Sequence, residues 1–134
     1  DSLAGSTIFW VKTVQLFIFD NLTEVTTWDG KSYFVVPQAL NGMNLVRVHA
    51  LVLTAWTTWT TDIQIANVTD TVDMLSTKLT IDSTETWSDT AATPAVIDTT
   101  KDDVATNDLI RIDVDATSTT KAKGLIITLE FQLP

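Results

Sequence analysis

The strongest constraint in this chain is a period of two. Val14, Leu16 and Ile18 share one face of an extended run, and so do Val46, Val48, Ala50 and Val52. Ile63 and Ile65 alternate with Asp62 and Gln64, and Leu79 and Ile81 with Lys78, Thr80 and Asp82. Ile110, Ile112 and Val114 alternate with Arg111, Asp113 and Asp115, and Ile127, Leu129, Phe131 and Leu133 with Thr128, Glu130 and Gln132. Alternation of this kind marks strands with one buried face. Threonine is the commonest residue and mixes with Val and Ile, β-branched types that fit a pleated sheet better than a helix.

Turn chemistry separates the runs, at Asp29-Gly30, Asn41-Gly42, Asn107-Asp108 and Lys123-Gly124. The pattern predicts strands over 8–19, 32–37, 44–54, 62–68, 77–82, 95–98, 108–115 and 124–133. It places Ile110, Ile112 and Val114 inside and Arg111, Asp113 and Asp115 outside or at a polar interface. No segment carries a helical stripe. The best helical candidate is Thr100–Thr106, with Asp102 and Asp103 near its start. Crossover helices for a parallel sheet are missing. The expected fold is therefore all-β, a two-sheet antiparallel sandwich of about eight strands, jelly-roll-like. One domain is expected over 1–134, with residues 1–29 as an N-terminal strand or arm open to assembly.

Composition narrows the function classes. Eight basic against 17 acidic residues leave a net charge of −9, which disfavours nucleic acid and acidic membrane surfaces. The absence of cysteine excludes a disulfide framework, a cysteine zinc site and a thiol nucleophile. No run of about 18 apolar residues exists; the nearest, Ile8 to Phe19, is broken by Lys12, Thr13 and Gln15. The first residues lack a basic start and a clean apolar run, so no signal peptide is expected. At 45% apolar residues the chain can build a core.

Two strands are apolar on both faces. Phe17 and Phe19 lie opposite Val14, Leu16 and Ile18, and Leu45, Leu51 and Leu53 lie opposite Val46, Val48 and Val52. A monomeric sandwich needs one buried face per sheet. Either loops cover the second face or other subunits do. The interface candidates are Phe17, Phe19, Arg47, His49, Leu51 and Leu53, with His49 and Arg47 on the Leu51 side.

Catalytic signatures are weak. His49 is the only histidine, so no typical zinc site forms, and no Gly-x-Ser-x-Gly elbow accompanies it. It reads as a structural or interface residue. Asp98, Asp102, Asp103, Asp108, Asp113 and Asp115 crowd one stretch but lack an EF-hand spacing, so they read as a solvated face before a Ca²⁺ site. No catalytic residue, cofactor or metal is assigned. Asn21-Leu22-Thr23 and Asn67-Val68-Thr69 match the glycosylation pattern and are read as chance.

Five tryptophans stand against four glycines. Trp28, Trp56, Trp59 and Trp87 sit in Thr-rich contexts where loops are expected, and segment 54–61 must turn without Gly, Pro, Asn or Asp. Exposed aromatic residues there either pack on a partner or the core, or stack on a glycan.

Three stretches carry a resemblance. They are Gly30-Lys31-Ser32-Tyr33-Phe34-Val35-Val36-Pro37-Gln38-Ala39-Leu40-Asn41-Gly42-Met43, Asp62-Ile63-Gln64-Ile65-Ala66-Asn67, and Asn107-Asp108-Leu109-Ile110-Arg111-Ile112-Asp113-Val114-Asp115 followed by Lys123-Gly124-Leu125. Together they resemble the small jelly-roll virion proteins of tailed bacteriophages, of the decoration, collar or fibre type. The likeness covers most of 30–133, rests on strand and turn patterns, and carries no active site. It departs at Trp56, Trp59 and Trp87, where small turn residues would be expected. The resemblance implies a non-enzymatic structural protein of an extracellular particle. It implies repeated copies that bind one another or other virion proteins; the second apolar face points to self-association as a closed ring or a trimer, or as part of a larger shell or fibre. The alternative is a glycan- or receptor-binding module that uses the loop tryptophans; a hydrolase is a distant third.

Overall fold

The alternating runs become strands at nearly the positions that their periodicity marks. The computed structural model describes residues 10–55, 57–117 and 120–134. Their strands are β1 (Val11–Glu24), β2 (Trp28–Val35), β3 (Asn44–Thr54), β4 (Thr61–Asn67), β5 (Val72–Asp73), β6 (Leu75–Thr77), β7 (Leu79–Ile81), β8 (Val96–Ile97), β9 (Leu109–Ala116) and β10 (Lys123–Gln132). All pairings are antiparallel. One sheet has the order β1-β10-β3. The other runs β2-β9-β4-β5 with β7 also on β4, and β6 pairs β8 separately. The result is an all-β antiparallel sandwich. The described residues hold ten strands against the expected eight, because two short strands, β5 and β6, precede β7, which takes the place of the run expected at 77–82.

The core lies between the sheets. Leu125, Ile127, Leu129 and Phe131 of β10 face Ile110, Ile112 and Val114 of β9 and Ile63 and Ile65 of β4. Phe34 meets Phe131 edge to face, with centroids 6.3 Å apart, and so joins β2 to β10 across the interior.

Two one-residue insertions reset the faces of the smaller sheet. On β1 the register passes from Phe17↔Ile126 to Phe19↔Leu125, so Ile18 is extra. On β3 it passes from Leu45↔Phe131 to Arg47↔Glu130, so Val46 is extra. A bulge shifts the side-chain phase beyond it. Leu45, expected outside, is buried, while Val46 is exposed. Phe19 likewise turns inward, packs on the core and lies under Lys31, whose Nζ is 5.4 Å from the ring centre.

Two polar positions that alternate with the core residues are buried in polar contacts. Asp113, 3% exposed, accepts two bonds from Arg111, at 2.7 and 3.0 Å, and one from Gly30 N–H at 2.8 Å. Charge-assisted bonds of this kind offset its desolvation. Gln64 bonds both N–H and C=O of Leu75 with its side-chain amide, at 3.1 and 3.0 Å, and so holds the start of β6 over β4. Arg111 and Asp115 follow the expectation, Asp115 pairing with Lys78 at 2.9 Å.

The helical candidate Thr100–Thr106 is not a helix. Its residues 102–104 run along the start of β3, where Leu45 N–H donates to Asp102 O at 2.8 Å and Val104 N–H to Met43 O at 2.9 Å. Sheet pairing overrides the weak preference of a short segment. The helical geometry among the described residues is two 3-10 turns, Gln38–Leu40 and Ser88–Thr90.

Candidate functional site

The outer face of the β1-β10-β3 sheet gathers most of the residues that the sequence singles out. Core-facing positions of β10 are odd-numbered from Leu125 to Phe131, so Ile126, Thr128 and Glu130 point outward. Paired residues of neighbouring strands share a face. Ile126 pairs with Phe17 on one side and Leu51 on the other, so these three form one outward row.

A fourth chain segment extends this row. Residues 86–88 lie along the free edge of β3: Val52 N–H donates to Thr86 O at 2.7 Å and Ala50 N–H to Ser88 Oγ at 3.0 Å. Leu51 and Trp87 are then antiparallel bridge partners. The loop that brings Trp87 there is fastened at Asp82, which accepts Glu85 N–H on its carbonyl at 3.1 Å and Ala92 N–H on its carboxylate at 2.8 Å.

Phe17, Ile126, Leu51 and Trp87 thus make an apolar row across the whole width of the sheet. Phe17 is 60% exposed and Trp87 45%. Leu53 extends the patch by lying over Gly124, where an added Cβ would come within 2.9 Å of its Cδ1.

Polar rows border the apolar one. Gln15, Thr128 and His49 form the next, with Gln15 Nε2 donating to Thr128 Oγ1 at 3.1 Å. Beyond it Arg47 reaches Glu130 at 3.1 Å, and Asp89 lies 3.8 Å from Arg47 and 3.6 Å from His49. The border therefore carries both signs of charge.

The structure brings Phe17, Arg47, His49, Leu51, Leu53 and Trp87 to one face and sends Phe19 elsewhere. Trp28 begins β2 opposite Val114 and is exposed, and Trp59 lies in the loop between β3 and β4, also exposed. Neither is in the row, and Trp56 lies outside the described residues. Ile126 is the member that sequence reasoning missed. Its signal was an isoleucine on the otherwise polar side of the last strand.

The acidic residues are held by separate polar partners. Asp98 bonds Thr100 through its hydroxyl and amide, Asp108 accepts from Asn67 and Ala105, and Asp113 and Asp115 hold Arg111 and Lys78. Among the described residues no three metal-ligating side chains come together. A shallow hollow of about 250 Å³ beside Asn67 and Asp73 has Arg111 as its cation, already committed to Asp113. No helix among the described residues is long and apolar enough to cross a membrane. Comparison with protein-family models, curated proteins and solved structures returned no match.

Proposed function

We propose that this chain is a non-enzymatic structural protein of the virion-assembly type, self-associating through the outer face of its three-stranded sheet. The observation that carries this reading is the outward row Phe17–Ile126–Leu51–Trp87. With Leu53 it exposes on the order of 300–400 Å² of apolar surface, the size at which patches on soluble chains mark contacts. A standard interface takes roughly 800 Å² from each partner. The row supplies its apolar centre, and Gln15, Thr128, His49 and Arg47 supply a polar rim. A rim with both charge signs is self-complementary, so two copies can exchange the Arg47–Asp89 contact. The edge of β1, which pairs with β10 alone among the described residues, offers a second route to a larger assembly. On the resemblance of its strand and turn patterns to phage virion proteins, we propose an extracellular particle as the setting of such an assembly, beside other virion proteins.

Sedimentation equilibrium over a micromolar concentration series tests the reading. The native chain is expected to associate and Leu51→Glu to stay monomeric with an unchanged circular dichroism spectrum. A native chain that is monomeric at every concentration and salt overturns it. If tryptophan fluorescence of that monomer then titrates with oligosaccharides, the glycan-binding alternative replaces it.

A further inference from the structure

The free edge of β3 is covered at both ends and open in the middle. Its Met43 and Leu45 groups bond residues 102–104, and its Ala50 and Val52 amides bond residues 86–88. Strand amides alternate in direction. The register with β10 is unbroken from Arg47 to Val52, so Val48 points its N–H and C=O the same way as Ala50 and Val52, away from β10. Neither group of Val48 has a hydrogen-bond partner among the described residues. The register shift at Val46 lies between Val48 and the bonded Leu45, so Val48 stands at the opening between the two covered ends.

That opening is a groove of about 460 Å³. Val46, Val48, Leu79 and residues 94–97 wall it, and Arg47 and Asp89 stand at the rim. Arg47 is engaged by Glu130 at 3.1 Å. Asp89 is held only by longer contacts, 3.8 Å to Arg47 and 3.6 Å to His49, and is 54% exposed, so a second cation can reach it, and the chain's net charge of −9 favours a basic partner.

From these observations we infer that the β3 notch is a docking site for an extended segment of another polypeptide, with a small β-branched residue flanked by lysine or arginine. The central residue of that segment pairs with Val48 through two backbone bonds, N–H to C=O in each direction. Its side chain enters the groove on the side of Val48 and Leu79, since paired residues share a face. The flanking cation meets Asp89. This is strand addition limited to one residue pair, with backbone bonds for affinity and one pocket plus one charge for specificity.

The test uses the whole chain, diluted until monomeric, and a capped Ser-Lys-Val-Lys-Ser peptide. In the free protein the Val48 amide should exchange with solvent at least tenfold faster than those of Ala50 and Val52, which are bonded. Adding the peptide should protect it and shift its NMR resonance. N-methylation of the peptide valine should weaken binding at least tenfold, and Asp89→Asn about two- to fivefold. A Val48 amide as protected as its neighbours in the free protein overturns the inference. So does a resonance that stays in place at millimolar peptide, or equal binding of a Ser-Glu-Val-Glu-Ser control.

Discussion

Leu51 faces Trp87 across an antiparallel bridge, and the 2.7 Å bond from Val52 N–H to Thr86 O sets the pair in register. Two residues remote in sequence therefore act as one surface. Truncating either to alanine should weaken self-association by about 1–2 kcal/mol, the range of an interface anchor. The double variant should fall short of the sum by at least about 0.5 kcal/mol, because contacting residues couple. Sedimentation equilibrium gives all four constants; strict additivity would separate Trp87 from the interface.

Association should also tighten with salt. Each copy carries a net charge of −9, so two copies repel at long range. Raising sodium chloride from about 20 to about 200 mM shortens the screening length from roughly 20 Å to below 10 Å. A dimer that loosens over that range would mean that ion pairs, not the apolar row, hold it.

Ile112 is fully buried between Ser32 and Ile65 in the ladder. An aspartate there has no cation to meet and costs several kcal/mol, on the order of the whole stability of a domain this size. Ile112→Asp should leave the chain unfolded by circular dichroism. A native-like spectrum would contradict the burial assigned to β9.

Trp59 holds a left-handed backbone, with φ of 65°. A side chain in that region costs about 1–2 kcal/mol, a penalty glycine escapes. Thr84 takes the same left-handed conformation in an exposed turn, with φ of 68°. Thr84→Gly should therefore stabilise the chain by a few tenths to about 1 kcal/mol in urea unfolding, the strain relief exceeding the unfolded-state entropy of glycine, and a clear loss of stability would contradict the strain assigned to that turn.

Acid should first stabilise this protein and then unfold it. Desolvation, aided by Asp108 and Asp103, raises Asp70 above the ordinary 3.8; desolvation, aided by Asp103 and Asp98, does the same to Asp102. The folded form binds these protons more readily, so stability rises as pH falls from the folded values toward 3.8. Asp20 is lowered by the Thr23 hydroxyl and Leu22 amide, and Asp98 by the Thr100 hydroxyl and amide. Their contribution is complete above 3.8 and is lost as pH falls through their lower folded values. Urea midpoints should peak near the ordinary carboxylate value, and Asp70→Asn should flatten the slope above that peak while sparing the acid limb. An unchanged upper slope would remove Asp70 from the account.

Period-two alternation made the strands legible, because one buried face forces it. Ile110, Ile112 and Val114 lie inside as the pattern requires. The turn strain was legible too: segment 54–61 lacked a turn residue, and Trp59 takes the strained conformation that glycine would take freely. What stayed hidden is what one extra residue does. The insertions at Ile18 and Val46 have no compositional mark, yet they decide that Phe19 and Leu45 face inward. The row was half legible. Phe17 and Leu51 follow from local alternation, but Trp87 joins them only through a loop that returns to the edge of β3. The depth of burial of Asp113 stayed hidden for a related reason, since its partners Arg111 and Gly30 come from one near and one distant position.

The bulges also tell where this gene can lose a codon. Deleting Val46 leaves Arg47 facing out and Leu45 facing in, both still opposite Glu130 and Phe131, so the strand becomes regular without changing sides. Deleting Ile18 does the same for Phe17 and Phe19. Removing Val48 instead would close the strand by turning the charged Arg47 into the core. In the regularly paired parts of these two strands, residues 11–19 and 44–54, tolerance to deletion is set by side-chain phase and not by how exposed a residue is.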